Sequence, residues 1–228
     1  MQRSLVAETL GTGLLMAVVV GSSAMSARLG AEPELGLLVT SLCCGVALWV
    51  LISILAPVSG AHLNPAVTLT FALRGEIGGR AALAFGGAQV VGACLGTMLA
   101  HVMFGLAPVQ FSILVRDQPA LWLSESVATF GLIFVILGAL TARGPVAGLV
   151  GAYVSTGYWF TASTGFANPA MTVARTLTGM AGGLRPIDAP AYIAAQFAGA
   201  ALAIVLGRWL FGTTPVGLAA AGHAPRPQ

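Results

Sequence analysis

Long apolar stretches alternate with short polar segments along the chain, and the polar segments carry most of the arginines and carboxylates. A helix needs about 20 mostly apolar residues to cross the hydrocarbon core of a bilayer. Six stretches are near that length: about 4–26, 34–56, 80–105, 119–141, 145–162 and 189–212. The pattern therefore predicts an all-α membrane protein with six transmembrane helices.

Two shorter apolar stretches, 64–74 and 168–178, lie between these spans, and each begins with the same tripeptide. The two copies are Asn64-Pro65-Ala66 and Asn168-Pro169-Ala170. Asparagine is a strong N-cap, and proline suits the first turn of a helix. A segment too short to cross is tolerated at membrane depth where protein surrounds it. We therefore predict two re-entrant half-helices, each beginning at its asparagine.

The two halves of the chain repeat each other in order. Besides the tripeptide, the surroundings of Glu8 resemble those of Glu125, and Gln89 has its counterpart in Gln196. Three spans per half is an odd number, so the second half must be inverted relative to the first. We expect one transmembrane domain over 1–212, with repeat one at about 1–110 and repeat two at about 117–212. An inverted repeat of this kind places a shared site near the bilayer midplane.

The arginines divide between the two predicted sides of the membrane. One side has Arg3, Arg74, Arg80, Arg143, Arg208 and Arg226, and the other has Arg28, Arg116 and Arg185. Because arginine is enriched in cytoplasmic loops, both termini are predicted to be cytoplasmic. Residues 213–228, which are rich in Pro, Gly and Ala, are predicted to form a disordered cytoplasmic tail.

Composition supports a membrane protein: 57% of the 228 residues are hydrophobic and only 7% are charged. The net charge of +3 is too small to indicate a nucleic-acid partner. Cys43, Cys44 and Cys94 lie inside apolar spans, so neither a disulfide framework nor a zinc site is expected. We expect no metal and no cofactor, and the lipid bilayer is the partner that this composition predicts.

Glu8 and Glu125 lie inside predicted spans, where a carboxylate is costly and usually faces the protein interior. One occurs in each repeat, which favours a structural role: accepting hydrogen bonds from backbone N–H groups of the re-entrant loops. Gln89 and Gln196 are expected to hydrogen-bond between helices. A proton relay through Glu8 and Glu125 is the alternative.

The segment 59–68, Ser-Gly-Ala-His-Leu-Asn-Pro-Ala-Val-Thr, and the doubled Asn-Pro-Ala resemble the signatures of the major intrinsic protein family, the aquaporins and glycerol channels. The resemblance covers nearly the whole chain. It implies a homotetramer of right-handed six-helix bundles with one pore per subunit. Asn64 and Asn168 would offer their side-chain amide N–H groups to passing solutes, and His62 would lie near the cytoplasmic mouth. No independent catalytic triad accompanies these motifs, so we do not expect an enzyme.

The selectivity filter is where the chain departs from its family. Most members have an arginine after the second Asn-Pro-Ala, and this chain has Met171. Counting without gaps places the other filter positions at Cys44, Thr156 and Gly165, with Cys43 as the alternative to Cys44. Such a filter is uncharged and has no bulky aromatic side chain, so it is expected to admit solutes larger than water.

Arg175 lies one helical turn beyond Met171 and is expected in the outer vestibule, where it would meet entering oxyacids. The alternative is that it caps the half-helix and pairs with Asp188. Residues 171–176 resemble the bacterial glycerol-channel branch found in arsenic resistance operons. That resemblance implies a multi-pass channel of the bacterial inner membrane for glycerol-like polyols, arsenite, related metalloid acids and water. A water-selective channel and an ion-coupled inverted-repeat carrier are the alternatives.

Overall fold

A computed structural model describes residues 1–212, so the predicted tail at 213–228 lies outside the described residues. The described part is helical and contains no β-strand. Its helices are α1 (Gln2–Arg28), α2 (Pro33–Ser59), α3 (Pro65–Leu73), α4 (Gly79–Met103), α5 (Pro119–Thr141), α6 (Val146–Phe160), α7 (Pro169–Arg175) and α8 (Ala189–Phe211). A short 3₁₀ turn at Pro186–Asp188 precedes α8.

Five of these helices, α1, α2, α4, α5 and α8, are long and apolar enough to cross a membrane. The sixth crossing, α6, has 15 residues and is shorter than the predicted span 145–162. At about 1.5 Å per residue it is roughly 22 Å long. It ends at Phe160 and leads directly into the segment that precedes α7, so part of the predicted sixth span is loop rather than helix.

The two repeats pack as matched units. In repeat one α1 packs against α4, in repeat two α5 packs against α8, and α2 crosses to α6. The half-helices α3 and α7 contact each other, and each also packs against both α4 and α8. The junction between α3 and α7 is therefore enclosed by helices from both repeats.

Glycines allow the paired helices of each repeat to approach closely. A Cβ atom on Gly92 of α4 would collide with the carbonyl oxygen of Thr9 in α1. A Cβ atom on Gly199 of α8 would collide with the carbonyl oxygen of Ser126 in α5. These two contacts are related by the internal repeat, since Thr9 follows Glu8 and Ser126 follows Glu125. Small residues are the usual means of bringing membrane helices together.

Polarity is distributed as a lipid environment requires. Large apolar side chains cover the outside of the bundle; Leu83 is 80% exposed and Trp209 is 79% exposed. The polar residues Glu8, Glu125, Gln89, Gln196, Thr12 and Thr129 are fully buried. An apolar surface of this extent is expected to be covered by lipid or by another protein.

Candidate pore and its two mouths

Each half-helix begins at its asparagine, and the side chain caps it. The Oδ1 atom of Asn64 accepts from the backbone N–H of Ala66 at 2.8 Å. The Oδ1 atom of Asn168 accepts from the N–H groups of Ala170 at 3.0 Å and Met171 at 3.3 Å. Both asparagines have extended backbones, as N-caps do. The positive ends of the two helix dipoles therefore meet inside the bundle.

The two asparagines also tie the opposite loops together. The Nδ2 atom of Asn64 donates to the carbonyl oxygen of Ala167 at 2.8 Å, and Nδ2 of Asn168 donates to that of Leu63 at 2.9 Å. We expected both amide nitrogens to be wholly available to solutes. Because an amide nitrogen carries two hydrogens, each asparagine uses one N–H across the junction and has a second one left.

The carboxylate of Glu8 holds the first re-entrant loop, which precedes α3, by hydrogen bonds. One carboxylate oxygen accepts from the hydroxyl of Ser59 at 2.6 Å and from the backbone N–H of His62 at 3.0 Å. The other accepts from the N–H of Leu63 at 2.7 Å and from Nε2 of Gln89 at 2.7 Å. The carboxylate thus receives four hydrogen bonds and has no exposed surface.

The carboxylate of Glu125 holds the second re-entrant loop, which precedes α7, in the same way. Its oxygens accept from the N–H groups of Phe166 and Ala167, both at 2.9 Å, and from Nε2 of Gln196 at 2.6 Å. Gln196 also donates to the hydroxyl of Thr172 at 2.8 Å, as Gln89 donates to that of Thr68 at 2.9 Å. Glu8 thus accepts four hydrogen bonds and Glu125 three, all from loop and helix donors.

The residues just before the two asparagines have a left-handed backbone. Leu63 has φ 49° and Ala167 has φ 48°, a backbone conformation that residues other than glycine seldom adopt. The backbone N–H of each residue donates to a buried glutamate. Its carbonyl oxygen accepts from the side chain of the asparagine that caps the other half-helix. Four directional hydrogen bonds thus hold two strained residues at the centre of the site, which is where backbone strain is typically tolerated.

Three cavities follow one another through the bundle. The central cavity, of about 50 Å³, is lined by both asparagines and, among others, by Leu15, Ile52, Val67, Leu132 and Val150. A cavity of about 400 Å³ lies where α1 ends and α2 begins, and we call it the outer cavity after the predicted topology. A cavity of about 300 Å³ lies by Ser4 and Glu76, and we call it the inner cavity for the same reason. Tyr158 lines both the central and the outer cavity, and His62 lines both the central and the inner one.

His62 separates the central cavity from the inner one. Its ring stacks on Phe71 with centroids 4.7 Å apart and meets the edge of Phe85 at 5.5 Å. Its Nδ1 atom is 3.1 Å from the hydroxyl oxygen of Thr68. The ring is therefore fixed by two aromatic neighbours and one hydrogen bond, between the two cavities that it lines.

Three of the four residues expected in the filter line the central cavity: Cys44, Gly165 and Met171. Cys44 is fully buried there, whereas Cys43 does not line the cavity. Thr156 was placed wrongly. Its side chain is exposed on the face of α6 that points away from the central cavity, and its hydroxyl donates to the carbonyl oxygen of Tyr153 at 2.7 Å.

Tyr158 takes the place in the lining that Thr156 was expected to have. The pore-facing residues of α6 are spaced four apart: Val146, Val150, Val154 and Tyr158. Thr156 is two residues from both Val154 and Tyr158, so it lies about 200° around the helix and faces away. The spacing of Val146, Val150 and Val154 was a signal in the sequence that would have identified Tyr158. The lining therefore does contain a bulky aromatic residue, contrary to our expectation.

Arg175 faces the outer cavity and is itself only 3% exposed. Its Nη1 atom donates to the carbonyl oxygen of Gly182 at 2.9 Å, and Nη2 donates to the hydroxyl of Tyr158 at 3.2 Å. The guanidinium carbon lies 4.1 Å from the centre of the Phe166 ring. Asp188 is not its partner, since that carboxylate pairs with Arg185 at 2.9 Å.

Sequence reasoning also missed Arg116 as a residue of the site. It lies in the extended segment before α5 and lines the outer cavity. Its Nη1 donates to the carbonyl oxygen of Ser163 at 3.1 Å and its Nη2 to that of Ala181 at 3.2 Å. Nothing in the local sequence marks this arginine, because its position depends on how two loops fold against each other.

Metal-binding side chains do not cluster in the part of the chain that the structure describes. Within 1–212 there is no cluster of three or more histidine, cysteine, aspartate or glutamate side chains that could hold a metal ion. The three cysteines are free. What the described part of the chain does bring together is a row of cavities with a polar centre, so the fold and the site define an inverted-repeat membrane protein organised around an internal passage.

Comparison with known proteins supports this description of the fold and the site. The family model described as "Major intrinsic protein" matches residues 1–156. The chain is 51% identical over 209 residues to aquaglyceroporin AqpS of Rhizobium meliloti (strain 1021), covering 91% of this chain and 90% of that protein. It is 34% identical over 215 residues to aquaporin NIP1-4 of Oryza sativa subsp. japonica, covering 91% of this chain and 75% of that protein. The chain belongs to the major intrinsic protein family.

A solved structure shows the same fold. The X-ray structure of the aquaglyceroporin from Plasmodium falciparum matches with a TM-score of 0.75 at 22% sequence identity. The match covers 90% of this chain and 94% of that chain. The predicted fold class, six membrane helices with two half-helices in an inverted repeat, is thereby confirmed.

Proposed function

We propose that the protein is a passive channel for small uncharged solutes, namely glycerol-like polyols, arsenite, related metalloid acids and water. The observation that carries the proposal is the central cavity between the N-termini of α3 and α7, which shares lining residues with a wider cavity at each end. One free N–H on each of Asn64 and Asn168 offers donors to the hydroxyl oxygens of a solute. The apolar side chains that line the rest of the central cavity accommodate the carbon atoms of a polyol.

The central cavity has more room than a single water needs. One water needs about 10–15 Å³ of such volume. The central cavity has about 50 Å³ and so holds more than one water-sized group. The revised filter, Cys44, Tyr158, Gly165 and Met171, has no charged side chain, and the positive charge of Arg175 lies beyond Tyr158 on the outer side. A water-selective channel is less well supported by this geometry.

An ion-coupled carrier finds little support in the arrangement of charges. Such a carrier would need ionisable groups available at the midplane. Glu8 and Glu125 are fully buried, and their oxygens are occupied by backbone and glutamine donors of the loops. This arrangement supports the role of loop anchors for both glutamates.

The outer mouth is formed in this proposal by Arg175 and Tyr158. The buried guanidinium repels cations at the entrance and offers hydrogen bonds to oxygens of entering solutes, while Met171 keeps the filter uncharged. The positive ends of α3 and α7 repel cations a second time at the centre. We further propose that the channel lies in the bacterial inner membrane as a homotetramer with both termini in the cytoplasm.

Stopped-flow light scattering on proteoliposomes tests the function. Vesicles with the protein should swell faster than empty vesicles in glycerol and in arsenite gradients, and they should equilibrate water faster. Sorbitol, a longer polyol, serves as the size control. Rapid water flow with exclusion of both glycerol and arsenite would instead support the water-selective alternative. Crosslinking of the membrane-bound protein tests the tetramer.

A further inference from the structure

Two guanidinium groups converge on one wall of the outer cavity. Arg175 comes from α7 and Arg116 from the segment before α5, and both line the cavity. They share the ring of Phe166, with guanidinium carbons 4.1 Å and 5.4 Å from its centre. Because an aromatic face attracts cations, Phe166 helps to hold the two positive charges near each other.

Neither guanidinium group has a carboxylate partner among residues 1–212. The nearby acidic side chains Asp117 and Asp188 both pair with Arg185. Asp188 also accepts from the backbone N–H of Arg116 at 2.8 Å. The guanidinium group of Arg116 donates instead to neutral carbonyl oxygens. The lining has one carboxylate, the exposed Glu32. Arg175 is buried and Arg116 is half-buried. Because a charge withdrawn from water without a counter-charge is costly, the pair favours an anionic occupant.

The wall around Arg175 is built to fit its guanidinium group. A Cβ atom on Gly182 would collide with Nη1 of Arg175. Gly182 does not have a left-handed backbone, so its lack of a side chain serves this close approach rather than a turn. The guanidinium is thereby fixed between the carbonyl oxygen of Gly182 and the hydroxyl of Tyr158.

Other parts of the outer cavity have the opposite character. Val19, Val20 and Leu37 present apolar surface, and Met180 adds a thioether. An occupant that satisfies both kinds of surface has a planar or tetrahedral oxyanion at one end and a short alkyl group at the other. Guanidinium groups are well suited to carboxylate oxygens.

We propose that the outer cavity is a binding site for small oxyanions with a short alkyl group, such as short-chain carboxylates, held between Arg116 and Arg175. The inference deepens the proposed function and rests on it in taking this cavity as the entrance to the passage. An anion bound there lies against Tyr158, at the boundary with the central cavity, and competes with neutral solutes for entry.

Propionate and its uncharged counterpart propionamide are the probes for this site. Thermal unfolding of the purified full chain in detergent at pH 7.5 is followed as each probe is added, with sodium chloride keeping the ionic strength constant. A ligand that binds only the folded state raises the midpoint in a saturable way. We expect saturable stabilisation by propionate and none by propionamide. Equal effects of the two, or no saturation, would overturn the proposal.

Matched variants locate the binding. R116Q is expected to weaken the apparent affinity for propionate about tenfold, since hydrogen bonds to charged groups contribute more than neutral ones. R28Q removes one positive charge from the same end of the bundle, where Arg28 is exposed and does not line the cavity, and should titrate as wild type. R175Q should weaken binding further; because Arg175 is buried, R116Q remains decisive if R175Q fails to fold. An R116Q protein with wild-type affinity would contradict the site.

The two proposals fail separately. Glycerol flux into proteoliposomes reports on the channel, whereas the unfolding titration reports on the anion site without any flux. A protein that passes glycerol but gives no saturable response to propionate overturns only the anion site. One that binds propionate through Arg116 but passes no neutral solute overturns only the channel.

Discussion

The hydroxyl of Tyr158 accepts a hydrogen bond of 3.2 Å from Nη2 of Arg175 at the boundary between the central and the outer cavity. One partner comes from α6 and the other from the end of α7, so the contact joins a full helix to a half-helix. It places the positive charge outside the central cavity, while Met171, one turn earlier on α7, lines that cavity. The positive charge and the lining of the central cavity thus come from different residues of α7.

Replacing Tyr158 tests its place in the filter. Tyr158→Ala should widen the boundary and raise the flux of erythritol relative to glycerol, measured by stopped-flow swelling of proteoliposomes. Thr156→Ala is the matched control on the same helix, and it should leave the ranking unchanged because Thr156 is exposed on the outer face. If the Thr156 variant altered the ranking and the Tyr158 variant did not, the assignment from the ungapped count would be right after all.

Met171→Arg should narrow the central cavity and put a second cation close to Arg175. We expect a several-fold loss of glycerol flux and a smaller loss of water flux, because a bulky charged side chain obstructs the larger solute more. Met171→Leu, which keeps the size and lacks the charge, serves as the control and should keep most of the glycerol flux. A Met171→Arg channel with an unchanged ratio of glycerol to water permeability would show that Met171 does not set the filter.

Glu8→Gln removes the negative charge from a carboxylate that accepts four hydrogen bonds. A glutamine has a single acceptor oxygen, so at least one loop N–H loses its partner. We expect a loss of about 1.5–3 kcal/mol in stability, the scale of one hydrogen bond to a charged group. The midpoint of thermal unfolding in detergent measures it.

Glu34→Gln, at an exposed position in the first turn of α2, is the control for Glu8→Gln and should unfold like wild type. The pH profile of glycerol flux should be the same in wild type and in the Glu8→Gln protein. A normally folded variant that had lost a proton-coupled flux would instead favour the relay interpretation.

Gly92→Ala should disrupt the pairing of α1 with α4, because its Cβ would collide with the carbonyl oxygen of Thr9. Separation of the two helices should lower the unfolding midpoint clearly, and Gly199→Ala should do the same for α5 and α8. Gly87→Ala in α4 is the control, since open space surrounds that position. It should be neutral or stabilising by about 0.5–1 kcal/mol, the usual gain from alanine in a helix. Equal midpoints for Gly92→Ala and Gly87→Ala would refute the close contact.

Much of the fold could be predicted from the sequence because it is local. The half-helix starts follow from an asparagine before a proline, and the structure has α3 at Pro65–Leu73 within the predicted 64–74. The span of α2 at Pro33–Ser59 exceeds the predicted 34–56 by a few residues at its end, where Pro57 is accommodated inside the helix. Helix α7 ends at Arg175, three residues before the predicted 178, because the chain turns back and the carbonyl oxygen of Arg175 accepts from the N–H of Leu184.

The ungapped count misplaced one filter residue because it assumes a loop of fixed length and shape and ignores the four-residue spacing along α6. Helix α6 ends at Phe160, and the following loop passes through left-handed conformations at Thr164, Gly165 and Ala167. Those bends displace the α6 side chains relative to an ungapped count, which is why Tyr158 and not Thr156 lines the passage. Arg116 depends on the same loops and has no local signal at all.

The measurement that tests the central claim most directly is the rate of proteoliposome swelling in an inward glycerol gradient, with and without an imposed proton gradient and membrane potential. For a passive channel we predict swelling well above that of protein-free vesicles, together with arsenite uptake, at rates that neither gradient changes. Vesicles that contain folded protein yet exclude both glycerol and arsenite, or that admit them only when a proton gradient is imposed, would contradict it.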